Sequence, residues 1–188
     1  NISRAKYSTD YPCSFMFVAS MNPCPCGYYG DPTHRCVCTP GQIQRYMNKI
    51  SGPLLDRIDI QCEISPVPFQ DISKAAPGEP SAKIRERVIK AREIQAERFK
   101  DYKGIHCNAQ MTERMIHQFA EPDEQGIELL RMAMEKLSLS ARAYNRILKV
   151  ARTIADLAGS EQIKPDHIAE AVGYRTLDRG DWAERGHI

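Results

Sequence analysis

The stretch Ser140–Ala158 reads "SARAYNRILKVARTIADLA". Ser140 suits an N-cap, because its hydroxyl can accept a hydrogen bond from a backbone N–H of the first turn. Tyr144, Ile147, Leu148, Ala151, Ile154 and Ala155 then recur at three- and four-residue spacing, the period of one helix face. The spacing predicts an amphipathic helix with that stripe buried. Such a stripe must pack on another element, and the flanking sequence supplies several of the same kind. Thr112 caps a short helix carrying Met115, Ile116 and Phe119. Asp123 to Leu137 carries Ile127, Leu130, Met134 and Leu137 at helical spacing. Pro165 opens a helix to about Tyr174 with Ile168, Ala171 and Val172 inward, and Ser81 to about Lys100 reads as a charged helix. The second half of the chain is therefore expected to be a helical bundle.

The first half reads differently. "SFMFVAS" (Ser14–Ser20) is apolar with aromatic and β-branched residues, the pattern of a buried, central parallel strand. "TPGQIQRYMNKIS" starts a helix, with Thr39 as N-cap, Pro40 at the first position and Ile43, Tyr46, Met47 and Ile50 as its apolar face. "GPLLDR" (Gly52–Arg57) is a turn or short helical piece, and "IDIQCEI" (Ile58–Ile64) alternates like a second strand. Ser65–Pro80 holds four prolines and a glycine, the best boundary in the chain. The expected organisation is part of an α/β core over residues 1–68 and a linker over 69–80. A helical domain over 81–178 and a tail over 179–188 follow.

Composition narrows the class. With 42% hydrophobic and 27% charged residues in 188, the chain is that of a globular protein of one medium domain or two small ones. A net charge of +2 carries no argument for nucleic acid by bulk electrostatics. No apolar run approaches the ~20 residues of a membrane span, and no signal peptide is visible, so a cytoplasmic location without a membrane partner is expected. The chain begins at Asn1, inside what reads as a strand, and is expected to be a piece of a longer protein.

Asn22–Cys38 reads "NPCPCGYYGDPTHRCVC" and gathers four of the seven cysteines. Four thiolates bind Zn²⁺ tetrahedrally, and Cys24, Cys26, Cys36 and Cys38 form two Cys-x-Cys arms joined by turn-forming residues. The reading is a structural zinc loop, with His34 as a substitute ligand. Disulfides are the rival reading, disfavoured in a reducing compartment. Free clustered thiols are a third, disfavoured by their reactivity. The odd count, with Cys13, Cys62 and Cys107 scattered among apolar residues, suits the reducing compartment.

Two strands and one helix do not make a stable α/β domain. The chain has no G-x-x-x-x-G-K-[ST] and no Gly-Lys pair anywhere, so it carries no phosphate-cradling loop of its own. No apolar strand ends in Asp-Glu to hold Mg²⁺. What it carries is Asn22 at the carboxyl end of an expected parallel strand, where open α/β sheets bind ligands. Arg57 stands between Leu54-Leu55 and the next strand, and Arg142 and Arg146 lie on successive turns of one helix.

Together, "FMFVASMNPCPCGYYGD", "ISGPLLDRIDI" and "SARAYNRILKVARTIADL" resemble the magnesium-chelatase-like AAA+ ATPases of the ComM/YifB competence-protein type. The resemblance runs from "NISRA", similar to the tail of a β-hairpin insert, to "YRTLDR". It implies the C-terminal part of a AAA+ P-loop core followed by a helical lid. The magnesium chelatase ATPase subunit shares the "LLDR" element and lacks the cysteine loop. This chain departs from the family in lacking the N-terminal domain and both Walker segments, so the fragment alone is expected to be inactive.

The resemblance assigns roles. Asn22 would be sensor 1, orienting the attacking water. Arg57 would be the arginine finger, reaching the neighbouring subunit's site. Arg142 would be sensor 2, contacting the phosphates from the lid, with Arg146 beside it as a second nucleotide-binding candidate. Each has a plainer reading. Asn22 before Pro23 also reads as a strand-end cap. Arg57 reads as a salt-bridge partner of Asp56 or Asp59. Arg142, Arg146 and Lys149 also read as a solvated basic face, a reading kept here for Lys149. For the full-length protein the resemblance implies a homo-oligomeric ring, expected to be a hexamer, that hydrolyses ATP with Mg²⁺. The work implied is DNA remodelling, as helicase or branch-migration activity in recombination or natural transformation. The rivals are a chelatase-type ATPase motor for metal insertion, and a zinc-stapled module that binds nucleic acid or protein without ATP chemistry.

Overall fold

The computed structural model describes residues 1–4, 7–12, 15–64, 67, 71, 73, 78–137 and 139–175. Most of the expected linker, the tail over 179–188 and Cys13 lie outside the described residues. The chain opens with two short strands, β1 (Ile2–Arg4) and β2 (Tyr7–Thr9), paired antiparallel with Ile2 opposite Thr9 and Arg4 opposite Tyr7. Every described residue of this pair is exposed, so it adds nothing to the core.

Helix α1 (Pro40–Met47) starts as its sequence predicts. The Thr39 hydroxyl accepts from Gln42 N at 3.3 Å, and Gln42 Oε1 accepts from Thr39 N at 2.8 Å. This reciprocal cap satisfies two backbone donors that the first turn would otherwise leave open. Ile43 is buried, and Tyr46, Met47 and Ile50 are half-buried. Helix α2 (Gly52–Leu55) is a single turn.

The bundle is built from α3 (Ser81–Arg98), α4 (Glu113–Phe119), α5 (Glu124–Lys136), α6 (Ala141–Leu157) and α7 (Pro165–Gly173). Thr112, Asp123 and Ser140 each cap the following helix by accepting from a backbone N–H of its first turn. Helix α6 is central. Its Ile147, Leu148, Ala151 and Ala155 are buried, with Tyr144 and Ile154 packed at the edge. Met115 and Ile116 of α4, Leu130 of α5, and Ile168 and Ala171 of α7 close on that stripe. Phe99, Tyr102 and Phe119 add three mutual edge-to-face contacts with centroids 5.8–6.4 Å apart, a favoured aromatic geometry.

Polar groups cross this core. Asp156 accepts from Arg98 Nη1 and Nη2 at 2.7 and 2.5 Å, from Asn108 Nδ2 at 2.8 Å and from Arg152 Nε at 3.1 Å. Arg152 also donates to the carbonyls of Ser160 and Glu161. Burial holds the Arg152 guanidinium below the usual arginine range, with Asp156 opposing that shift.

Three expectations differ from the structure. Residues 15–20 form no strand, and Phe15, Met16, Phe17 and Val18 are exposed. A strand is stabilised by a neighbouring ladder and a covered face, and no described segment pairs with this one. "IDIQCEI" forms no strand either. Gln61 rather than the isoleucines is buried, and its N donates to Tyr174 O at 2.9 Å. Ile127 is exposed, and Leu129 packs on the core instead, because α5 meets the bundle on a face rotated from the one its spacing suggested. Among the described residues the structure is therefore mixed, mostly helical, with one small two-stranded sheet. No helix among the described residues is long and apolar enough to cross a membrane.

Candidate metal centre and arginine segment

The four loop cysteines converge. The sulfurs of Cys24, Cys26, Cys36 and Cys38 all lie within 4.8 Å of one another. Cys24 Sγ is 3.3 Å from Cys26 Sγ and 3.7 Å from Cys36 Sγ, and Cys26 and Cys36 are 3.5 Å apart. Four ligands at ~2.3 Å from a tetrahedral centre would stand about 3.8 Å apart, so the set has the size and chemistry of a metal site. The closest pair is well outside bonding range, since a disulfide needs ~2.05 Å. The folding of the loop explains the convergence. Gly27 and Gly30 take positive φ angles of 85° and 81°, a region that strains any residue with a Cβ. Those two turns return the chain so that the second Cys-x-Cys arm meets the first.

Electrostatics within the cluster are uneven. Cys26 is lowered to about 6, first by hydrogen bonds from the backbone of Tyr28 and Val37. Burial pushes Cys36 up to about 12 and also raises Cys38. A cation arriving there would favour the ionised form of all four thiols. His34 stands outside the set. Its ring stacks on Tyr28 at 4.9 Å, and its Nδ1 lies 2.8 Å from Thr33 Oγ1 and 3.2 Å from Asp31 Oδ2. Asp31 is held down at about 2, chiefly by the hydroxyl and backbone of Thr33. Of the remaining described cysteines, Cys62 is exposed rather than apolar-buried and Cys107 is half-buried.

The arginines occupy a different part of the molecule. Arg57 follows α2 and is exposed; its Nη1 donates to Pro53 O at 2.7 Å. Neither neighbouring aspartate pairs with it. Asp56 accepts from Ser140 Oγ at 3.3 Å and faces Arg175 Nη2 at 3.8 Å, while Asp59 pairs with Arg146 Nη1. The segment around Arg57 is thereby fastened to the start of α6, where Arg142 lies exposed on the first turn. Lys149 is not on a solvated face. It is half-buried, donates to Ala109 O at 2.9 Å, and burial lowers its pKa. Asn22 is exposed, with its Nδ2 beside Gly27 of the cysteine loop. The sequence reading missed Arg175, and it offered Asp56 and Asp59 to Arg57 rather than to Ser140, Arg175 and Arg146. Arg175 meets Ile58 across 117 positions, and no local pattern encodes a contact of that separation.

The sequence matches known proteins over most of its length. Residues 78–175 match the family model described as magnesium chelatase, subunit ChlI C-terminal, and residues 1–72 match magnesium chelatase, subunit ChlI. The chain belongs to the magnesium chelatase ChlI family. It is 44% identical over 179 residues to "Competence protein ComM" of Haemophilus influenzae, covering 95% of this chain and 34% of that protein. It is 42% identical over 180 residues to "Uncharacterized protein YifB" of Escherichia coli, with the same coverage. An uncharacterised protein of Mycobacterium tuberculosis is 36% identical over 165 residues, 88% of this chain and 32% of its own length. The chain spans about a third of the length of the curated relatives it matches. Within the ChlI family match, the C-terminal model covers α3 to Arg175, the whole helical bundle, and the other covers the cysteine loop and Arg57.

Proposed function

We propose that this chain is a C-terminal portion of a AAA+ ATPase: the end of its α/β core, then a lid carrying sensor 2. In the full-length protein it would work in a homo-oligomeric ring, a hexamer, that hydrolyses ATP with Mg²⁺ in the cytoplasm to remodel DNA. The observation that carries this reading is the match to a competence protein over 95% of the chain. The exposed guanidinium of Arg57, left unclaimed by its flanking aspartates, supports it. ATP is the substrate, and its phosphates would be held by segments outside this chain. Here Arg57 would neutralise charge on the neighbouring subunit's phosphoryl group. Arg142, with Arg146 beside it, would approach the phosphates from the lid, and Asn22 would orient water. The fragment alone turns over no ATP on this reading.

The family name favours a second reading, an ATPase motor for metal insertion. One experiment separates the two. The ATPase rate of the full-length protein is measured with branched DNA, with linear duplex and with no DNA. A severalfold stimulation by branched DNA is expected; a rate indifferent to every DNA added overturns the DNA reading.

The cysteine cluster would hold structural Zn²⁺, because four thiolates within reach of one ion would complete its tetrahedral coordination and leave no position open for catalysis. Its role is to hold the loop that begins at Asn22. About one Zn²⁺ per chain is expected from elemental analysis of protein purified under reducing conditions without chelator. Chelation should raise amide exchange in the loop while the helical bundle keeps its circular dichroism. Metal-free protein with an unchanged loop would refute the assignment.

A further inference from the structure

A buried guanidinium closes the helical bundle. Arg175 follows α7 and is 1% exposed. Its Nη1 donates to the carbonyl oxygen of Ile58, the residue after Arg57. Its Nη2 lies 3.8 Å from Asp56 Oδ1, the residue before Arg57. Next to it, Tyr174 O accepts from Gln61 N at 2.9 Å. From the other side, Ser140 and Arg146 of the α6 region take Asp56 and Asp59.

These attachments matter because α2 has little to orient it alone. It is four residues long, with no side-chain cap and no buried residue, and an isolated turn is not stable in water. The direction of Arg57 is therefore set by what grips its neighbours. Burying a guanidinium is unfavourable unless its donors are used, and a leucine or methionine would fill the same space without that penalty. Arg175 directs one hydrogen bond, to Ile58 O, and one ion pair, to Asp56, at the two residues that flank Arg57.

We propose that Arg175 is a positioning residue for Arg57: it fixes the Asp56–Ile58 backbone to the end of α7, so that the exposed guanidinium projects from the helical bundle in one direction and moves with it. This rests on the reading of Arg57 as the charge partner of a neighbouring subunit's phosphoryl group.

The test is a double-mutant cycle on steady-state ATP turnover by the full-length protein. Arg175→Gln is expected to lower kcat by ~10–100-fold, the scale of a misplaced catalytic group, while KM for ATP stays within about twofold. In an Arg57→Ala background the same substitution should cost nothing further. Asp56→Asn, at a half-exposed site, should show a smaller loss with the same non-additivity. It decides the matter by the same criterion if Arg175→Gln melts below the assay temperature. A loss that is equal on wild type and on Arg57→Ala overturns the proposal alone. Wild-type turnover by Arg57→Ala overturns the finger reading and this proposal with it.

Discussion

Arg57→Ala in the full-length protein should lower ATP turnover by ~10³-fold or more while leaving nucleotide affinity nearly unchanged. The side chain is exposed and makes one hydrogen bond, to Pro53 O within its own turn. Removing it should cost its own chain no more than ~0.5 kcal/mol of stability, the range of an ordinary surface substitution. A salt-bridge role would predict the reverse, a modest stability loss with near-normal turnover. The structure provides no such bridge, since Asp56 is engaged by Ser140 and Arg175 and Asp59 by Arg146. A finger acts in the next subunit's site. Mixing this variant with one disabled in the phosphate loop should therefore restore part of the activity, because mixed rings contain some interfaces with both parts intact. Phosphate release, nucleotide titration and thermal melting check the three parts. Turnover at the wild-type rate would mean that Arg57 is not the finger.

The contrast between the two halves of the chain is physical. The bundle was legible because its helices contain their own signals: caps at Thr112, Asp123 and Ser140, and stripes whose period matches the helix. A helix satisfies its backbone within itself, so local sequence suffices to place it. "SFMFVAS" and "IDIQCEI" have equally plain strand patterns, but a strand needs a partner to pair with, and the described residues offer none. The cysteine loop was legible as a cluster, since two Cys-x-Cys arms and two turn glycines encode the return of the chain. The exclusion of His34 was not, because it depends on a stack with Tyr28 and a bond to Asp31. The grip on the Arg57 segment was invisible for another reason. Its contacts join residues 84 to 117 positions apart, and an Asp or Arg at such a position looks like any surface charge until the chain folds.

The same blindness hid Asp156, whose replacement should be the most destabilising single change in the bundle. Its side chain is fully buried and receives four hydrogen bonds from Arg98, Asn108 and Arg152. Arg152 is itself nearly buried and Arg98 largely so. Asp156→Ala would leave two guanidinium groups facing each other without an anion between them. Deleting one partner of a buried ion pair costs ~3–5 kcal/mol, because the remaining charge cannot return to water. The network also ties α3 to α6 and to the turn at Asn108, so the loss should spread to the docking of α3. Asp156→Asn keeps the shape and part of the hydrogen bonding, and should cost less than Asp156→Ala. Urea unfolding followed by circular dichroism gives the comparison, read as a fall in midpoint without a change in slope. A loss below ~1 kcal/mol for Asp156→Ala would mean that Arg98 and Arg152 find water or other acceptors on relaxation, and that α3 is held by Phe99 and its aromatic neighbours rather than by this network.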